Sequence, residues 1–123
     1  MEITYWITAS LLALVYLAAG AQKSTRTQAK LVEAGMAWAA DLPLPMVRFI
    51  GVMELLGAVG LILPPLLDIS PALGPTAAVG LGVLQVGAII THVTRREPKV
   101  LPMNLVLLAL SAAAAVTGFN VWG

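Results

Sequence analysis

Glu54 is the residue most able to do chemistry, because it interrupts an otherwise apolar run from Met46 to Leu63 that is long enough to cross a bilayer. An ionisable side chain at membrane depth costs at least ~2.5 kcal/mol on insertion scales, so its place in the span marks a functional site or a polar lock between helices. Gln85 lies inside a second such run, and both residues are eight positions from the basic end of their span. At the helical rise that is ~12 Å deep for each. Asn104 and Tyr16 lie somewhat shallower in the same half, with His92, Arg48 and Lys23 near the basic rim. A carboxylate, an imidazole, a phenol and two amides at neighbouring depths can donate hydrogen bonds, accept them and carry protons.

These groups must be positioned by membrane helices. The chain is 59% hydrophobic and 11% charged, whereas an ordinary soluble domain is about 25% charged. Four apolar runs, about 3–21, 46–63, 72–93 and 100–121, each match the ~30 Å hydrocarbon core at ~1.5 Å per residue. The expected fold is all-α, an integral membrane bundle of four transmembrane helices forming one domain over residues 1–123. A short interfacial helix is expected between the first two spans, where Val32, Met36 and Ala39/Ala40 recur at helical spacing, with Trp38 as an interface anchor. Prolines set the expected limits: Leu42-Pro43-Leu44-Pro45 ends the interfacial helix, and Pro64-Pro65 closes the second span. Pro71 and Pro75 open the third, and Pro98 and Pro102 frame the start of the fourth.

All seven basic residues, Lys23, Arg26, Lys30, Arg48, Arg95, Arg96 and Lys99, fall in or beside the first and third connections. The positive-inside rule then places those connections in the cytoplasm and both termini outside, in a multi-pass protein of the cell (plasma) membrane. Ala19-Gly20-Ala21 has the small residues of a signal cleavage site, but no basic residue precedes the apolar stretch, so an uncleaved span is expected. Arg95, Arg96 and Lys99 read as topology determinants that also meet anionic lipid. Nothing in this distribution suits nucleic acid.

Facing follows from periodicity. Tyr16, Gly20 and Lys23 share one stripe, as do Gly51 and Glu54, Gln85 and His92, and Asn104, Ser111 and Gly118, so all four spans can turn polar groups into one cytoplasm-facing cavity. Arg48 and Glu54 are about 120° apart around their helix and are not expected to pair. Glu54 then finds a partner elsewhere, accepts water, or is a neutral acid bonded to Gln85 or Tyr16. Arg48 and Lys23 read either as site residues or as side chains snorkelling to the interface. Gln85 and Asn104 read as ligand contacts or as interhelical hydrogen bonds. His92 is a rim residue or a proton-handling group. Small residues at Gly51, Gly57, Ala58, Gly60, Gly80, Gly87, Ala112 and Ala115 suit close helix packing, and such faces also suit a homodimer. The sequence has no cysteine and one histidine, so no thiolate-metal, two-histidine haem or zinc site is expected from one chain, and no flavin motif is present.

Three segments together resemble the DoxX-like family of small four-helix membrane proteins: GAQK at Gly20 to Lys23, RFIGVMELLGAVGLILP at Arg48 to Pro64, and GAIITH at Gly87 to His92. The second is the most specific, and with the spacing of the spans the likeness covers nearly the whole chain. The family takes its name from a membrane subunit associated with quinone-coupled thiosulfate oxidation, and relatives are linked to redox stress or to quinone and catechol detoxification. The resemblance implies Lys23, Arg48, Glu54 and His92 as functional residues. The fourth span departs from the pattern, with Thr117-Gly118-Phe119 where a basic residue is expected.

Three roles are consistent with this reading. The first is a membrane subunit of a redox or detoxification system that binds a quinone-like amphipathic molecule and draws electrons from a soluble or membrane redox partner. The second is a non-catalytic scaffold for another membrane protein. The third is a proton-coupled small-molecule transporter, to which the position of Glu54 in the second rather than the first span is less suited.

Overall fold

A computed structural model describes residues 1–123 as five α-helices: α1 (Glu2–Thr25), α2 (Gln28–Glu33), α3 (Leu44–Leu67), α4 (Leu73–Thr94) and α5 (Leu101–Trp122). Short 3-10 turns cover Ala37–Asp41 and Pro98–Val100. The four long helices have the length and apolarity of membrane spans. They pack as an antiparallel ring in which α1 lies between α3 and α5, and α4 lies between the same two neighbours. Chain reversal at each connection therefore collects both basic connections at one end, called the basic end below.

Each span is apolar around most of its circumference, so no amphipathic stripe drives assembly and packing must do so. The inward stripe of α1 is Tyr5, Ala9, Leu12 and Tyr16, which meets Ala58 and Leu61 of α3, Ala78 and Leu81 of α4, and Leu107 and Ala114 of α5. Large side chains such as Leu14, Phe49, Val83 and Val116 point outward, where lipid replaces the water of a soluble fold.

Three expectations need correction. Pro64 and Pro65 do not close the second span, because α3 continues through both to Leu67 and ends at Asp68 with a left-handed φ of 56°. Proline at 65 removes the N–H that would bond the Leu61 carbonyl, and the Tyr5 hydroxyl donates to that oxygen instead, at 2.6 Å. A donor from the neighbouring helix thus replaces the missing backbone donor, and the helix persists for another turn.

The segment between the first two spans does contain a short helix, and of the expected apolar stripe Met36 and Ala39 pack inward while Val32 does not. Gly35, at φ 99°, separates α2 from the 3-10 turn, a conformation that side chains disfavour. Leu31 and Ala39 are the buried residues, packed on Val47 of α3, while Val32 is exposed. Gly80 and Gly87 also differ from expectation, since a Cβ at either would meet nothing within 4 Å. They face away from the bundle, whereas the close crossing uses Gly20 and Gly51.

Candidate functional site

At the crossing of α1 and α3, a Cβ added to Gly20 would lie 2.7 Å from the Gly51 carbonyl oxygen. One added to Gly51 would lie 2.8 Å from the Lys23 Cβ. Only glycine lets the two backbones approach this closely. The approach brings Lys23, in the last turn of α1, within reach of Glu54 on α3. Its Nζ donates to Glu54 Oε1 at 2.5 Å. The Glu54 side chain is 3% exposed and that of Lys23 14%, so the pair is removed from water and charge-assisted.

Two further contacts hold Lys23. Its ammonium lies 5.3 Å from the centre of the Trp38 ring, within range of the attraction between a cation and an aromatic face. Arg48 Nη1 donates to the Lys23 carbonyl at 2.9 Å. That carbonyl belongs to the last turn of α1, where no helical N–H is available, so Arg48 completes the helix end from α3. Lys23 and Arg48 are therefore engaged within the fold, Trp38 contacts Lys23, and Glu54 bonds neither Gln85 nor Tyr16.

Gln85 and Tyr16 instead bond each other across the bundle, with Gln85 Nε2 donating to the Tyr16 hydroxyl at 2.7 Å. Both are buried, as are Asn104 and Ser111 on α5. Gln85 Oε1, Asn104 Nδ2 and Ser111 Oγ are buried and make no hydrogen bond within the chain, and the same holds for Ser24 Oγ beside Lys23. Tyr16, Glu54, Gln85 and Asn104 are all buried, and the Lys23 side chain is 14% exposed. Among them the bonded pairs are Lys23 with Glu54 and Gln85 with Tyr16.

His92 is bonded to none of these residues. Its Nδ1 is 3.0 Å from Glu97 Oε1, and the same oxygen accepts from Arg95 Nε at 3.2 Å. Arg95 also pairs through Nη1 with Asp41 of the 3-10 turn. The hydrogen bond from His92, with Arg95 beside it, holds the Glu97 carboxyl below the usual carboxylate range. Sequence reasoning treated Arg95 as a topology signal and missed Glu97 and Asp41. Their only trace was the five-residue spacing of His92 and Glu97 in a connection otherwise rich in cations.

No group of three or more His, Cys, Asp or Glu side chains is arranged to hold a metal ion. The arrangement can donate hydrogen bonds and exchange protons at Glu54 and Lys23. These features define a multi-pass membrane bundle with a buried ion pair near one end. The sequence profile of the DoxX-like family matches residues 7–114, and the chain belongs to that family. No curated protein and no solved structure matches it.

Proposed function

We propose that the chain is a membrane subunit of a redox or detoxification system, binding a quinone-like or other small amphipathic molecule at the Lys23–Glu54 pair. The observation that carries this reading is a buried ion pair between two helices of membrane-span length, in a bundle whose interior also holds amide and hydroxyl atoms without partners. An amphipathic headgroup reaching the pair from the lipid would find a cation to donate to its oxygen and a carboxylate to exchange a proton. Lys23 positions and donates, Glu54 handles the proton, and Tyr16, Gln85 and Asn104 supply hydrogen bonds to the polar edge. Arg48 fixes Lys23, and His92 serves the rim. Electrons come from a partner protein. The basic end faces the cytoplasm of the cell membrane on this reading, with both termini outside.

Passage through the bundle is less favoured than binding. Beyond Tyr16 and Gln85 the interior is filled mainly by fully buried Leu12, Leu61, Ala58, Leu81, Ala78 and Ala114, and the hydroxyls of Tyr5, Thr8 and Thr117 there are taken up by backbone carbonyls.

Native mass spectrometry of protein released in mild detergent tests the reading. A small apolar adduct is expected on the wild type and lost in Glu54→Gln and in Lys23→Met. An adduct retained by both variants would remove the ligand from this site.

A scaffold role has one observation of its own. The outward face of α4 carries Gly80 and Gly87 among exposed Val79, Val83, Val86 and Ile90, a surface that lets another helix approach closely. A stoichiometric protein partner in mild detergent with no small adduct would favour it.

A further inference from the structure

We propose that residues 28–42 form a releasable cover over the Lys23–Glu54 pair, latched through Asp41 to Arg95 on the other connection at the basic end. The segment is a unit of its own. Gln28 Nε2 donates to the carbonyls of Ala39 and Leu42 at 3.1 and 3.0 Å, tying its start to its end. Leu31 and Ala39, with Met36, Trp38 and Leu42 beside them, form a small core that touches α3 through Val47 and is separate from the main core of the bundle.

Its limits are suited to movement. Arg26 and Thr27 are extended at one end and Leu42 at the other, so the cover is joined to α1 and α3 by non-helical backbone. What it covers is set by Trp38, whose ring lies over the Lys23 ammonium.

The attachment from across the bundle is ionic. Arg95 pairs with Asp41 and is itself held by Glu97. The Asp41 side chain is 66% exposed and that of Arg95 28%, so this latch works in water. Exposed pairs are weak and screened by salt. A weak latch beside a small separate core is a cover that opens at low cost, while the main core keeps the four spans in place.

That the cover controls ligand access rests on the binding proposed above, but its docking can be measured without any ligand. The chain has no cysteine, so one introduced thiol reports alone. Ala39→Cys places it in the buried seam of the cover, and Thr25→Cys places it on the exposed last turn of α1. A water-soluble maleimide should label Ala39→Cys at least about tenfold more slowly than Thr25→Cys. Adding Arg95→Gln or Asp41→Asn, or raising the salt to about 1 M, should quicken the buried thiol about threefold to fivefold, the range an exposed ion pair supports. Thr25→Cys should not change.

Hydrogen exchange of the amides of Ala37–Asp41 in the cysteine-free chain provides a second readout and should quicken in the same two variants. The proposal is overturned if neither labelling nor exchange responds to them. A response with an adduct mass that ignores Glu54→Gln would keep the cover and remove the ligand. An unresponsive cover with an adduct that depends on Glu54 would do the reverse.

Discussion

The two ends of the bundle solve the same problem in opposite ways. At the end away from the basic connections, Tyr5, Trp6 and Trp122 pack edge to face, with ring centres 4.8 to 6.2 Å apart. The hydroxyl of Tyr5 is bonded to Leu61, while Thr8 and Thr117 return theirs to backbone carbonyls of their own helices. At the basic end, interior contacts include a buried ion pair, a cation against a ring and an interhelical bond between phenol and amide, and several polar atoms have no partner in the chain. In lipid, packing and fully satisfied hydrogen bonds hold helices together, and buried charge opposes stability unless paired. The contrast separates an end whose buried hydroxyls are all bonded to backbone from an end that buries charge and leaves polar atoms unpaired.

The strongest way to break that contrast is to remove one partner of the pair. Lys23→Met leaves Glu54 buried beside an apolar side chain and should cost about 3–5 kcal/mol in reversible unfolding in mixed micelles. Replacing both, Lys23→Met with Glu54→Leu, should recover most of the loss, because two apolar residues of similar size need no compensation. Stability equal to wild type in the single variant would mean that the pair contributes nothing to the fold.

Glycines sharpen the comparison further. Gly20→Ala forces a methyl group against the backbone of α3 and should cost about 1–3 kcal/mol, with a loss of the Lys23–Glu54 geometry. Gly80→Ala meets open space and should be neutral or stabilise by up to ~1 kcal/mol through helix propensity. Equal losses in the two would mean that α4 is packed against something at Gly80.

A smaller effect tests the cohesive end. Tyr5→Phe removes the donor to the Leu61 carbonyl and should cost about 1–2 kcal/mol. Pro65→Ala restores a backbone N–H for the same carbonyl, so Tyr5→Phe should cost much less in that background. Additive losses would show that Tyr5 acts by packing alone.

The fold was legible in the sequence because span length and the placement of cations are properties of the solvent as much as of the chain. Four apolar runs and two basic connections leave little choice of architecture. That Glu54 and Gln85 lie inside their helices and away from the basic ends was legible too, since a rise of ~1.5 Å per residue converts position into distance along a helix. Pairing was not. Lys23 looked like an interfacial side chain because its reach to Glu54 depends on how closely α1 and α3 approach, which two glycines on separate helices decide together. The prolines misled for a related reason: the replacement donor for Leu61 is Tyr5, 56 residues earlier, and local rules cannot see it. The Arg95–Asp41 contact likewise joins two connections that only the closed ring brings together.

The smallest expected effect concerns the rim and follows from Glu97. Its carboxyl ionises below the usual range because His92 and Arg95 bond the charged form. A depressed folded-state value stabilises the fold at every pH above the ordinary carboxylate value of about 4.3. That contribution shrinks as pH falls below it and is gone once pH has passed through the folded value. Acid should therefore loosen the α4–α5 connection only below about pH 4.3, seen as faster hydrogen exchange at 95–100. Glu97→Gln should lack that acid step and show faster exchange there at neutral pH, leaving the Tyr5 end unaffected. Acid loosening that reaches both ends together would mean that the rim is coupled to the whole bundle, and the separation of a cohesive end from a charged end would not hold.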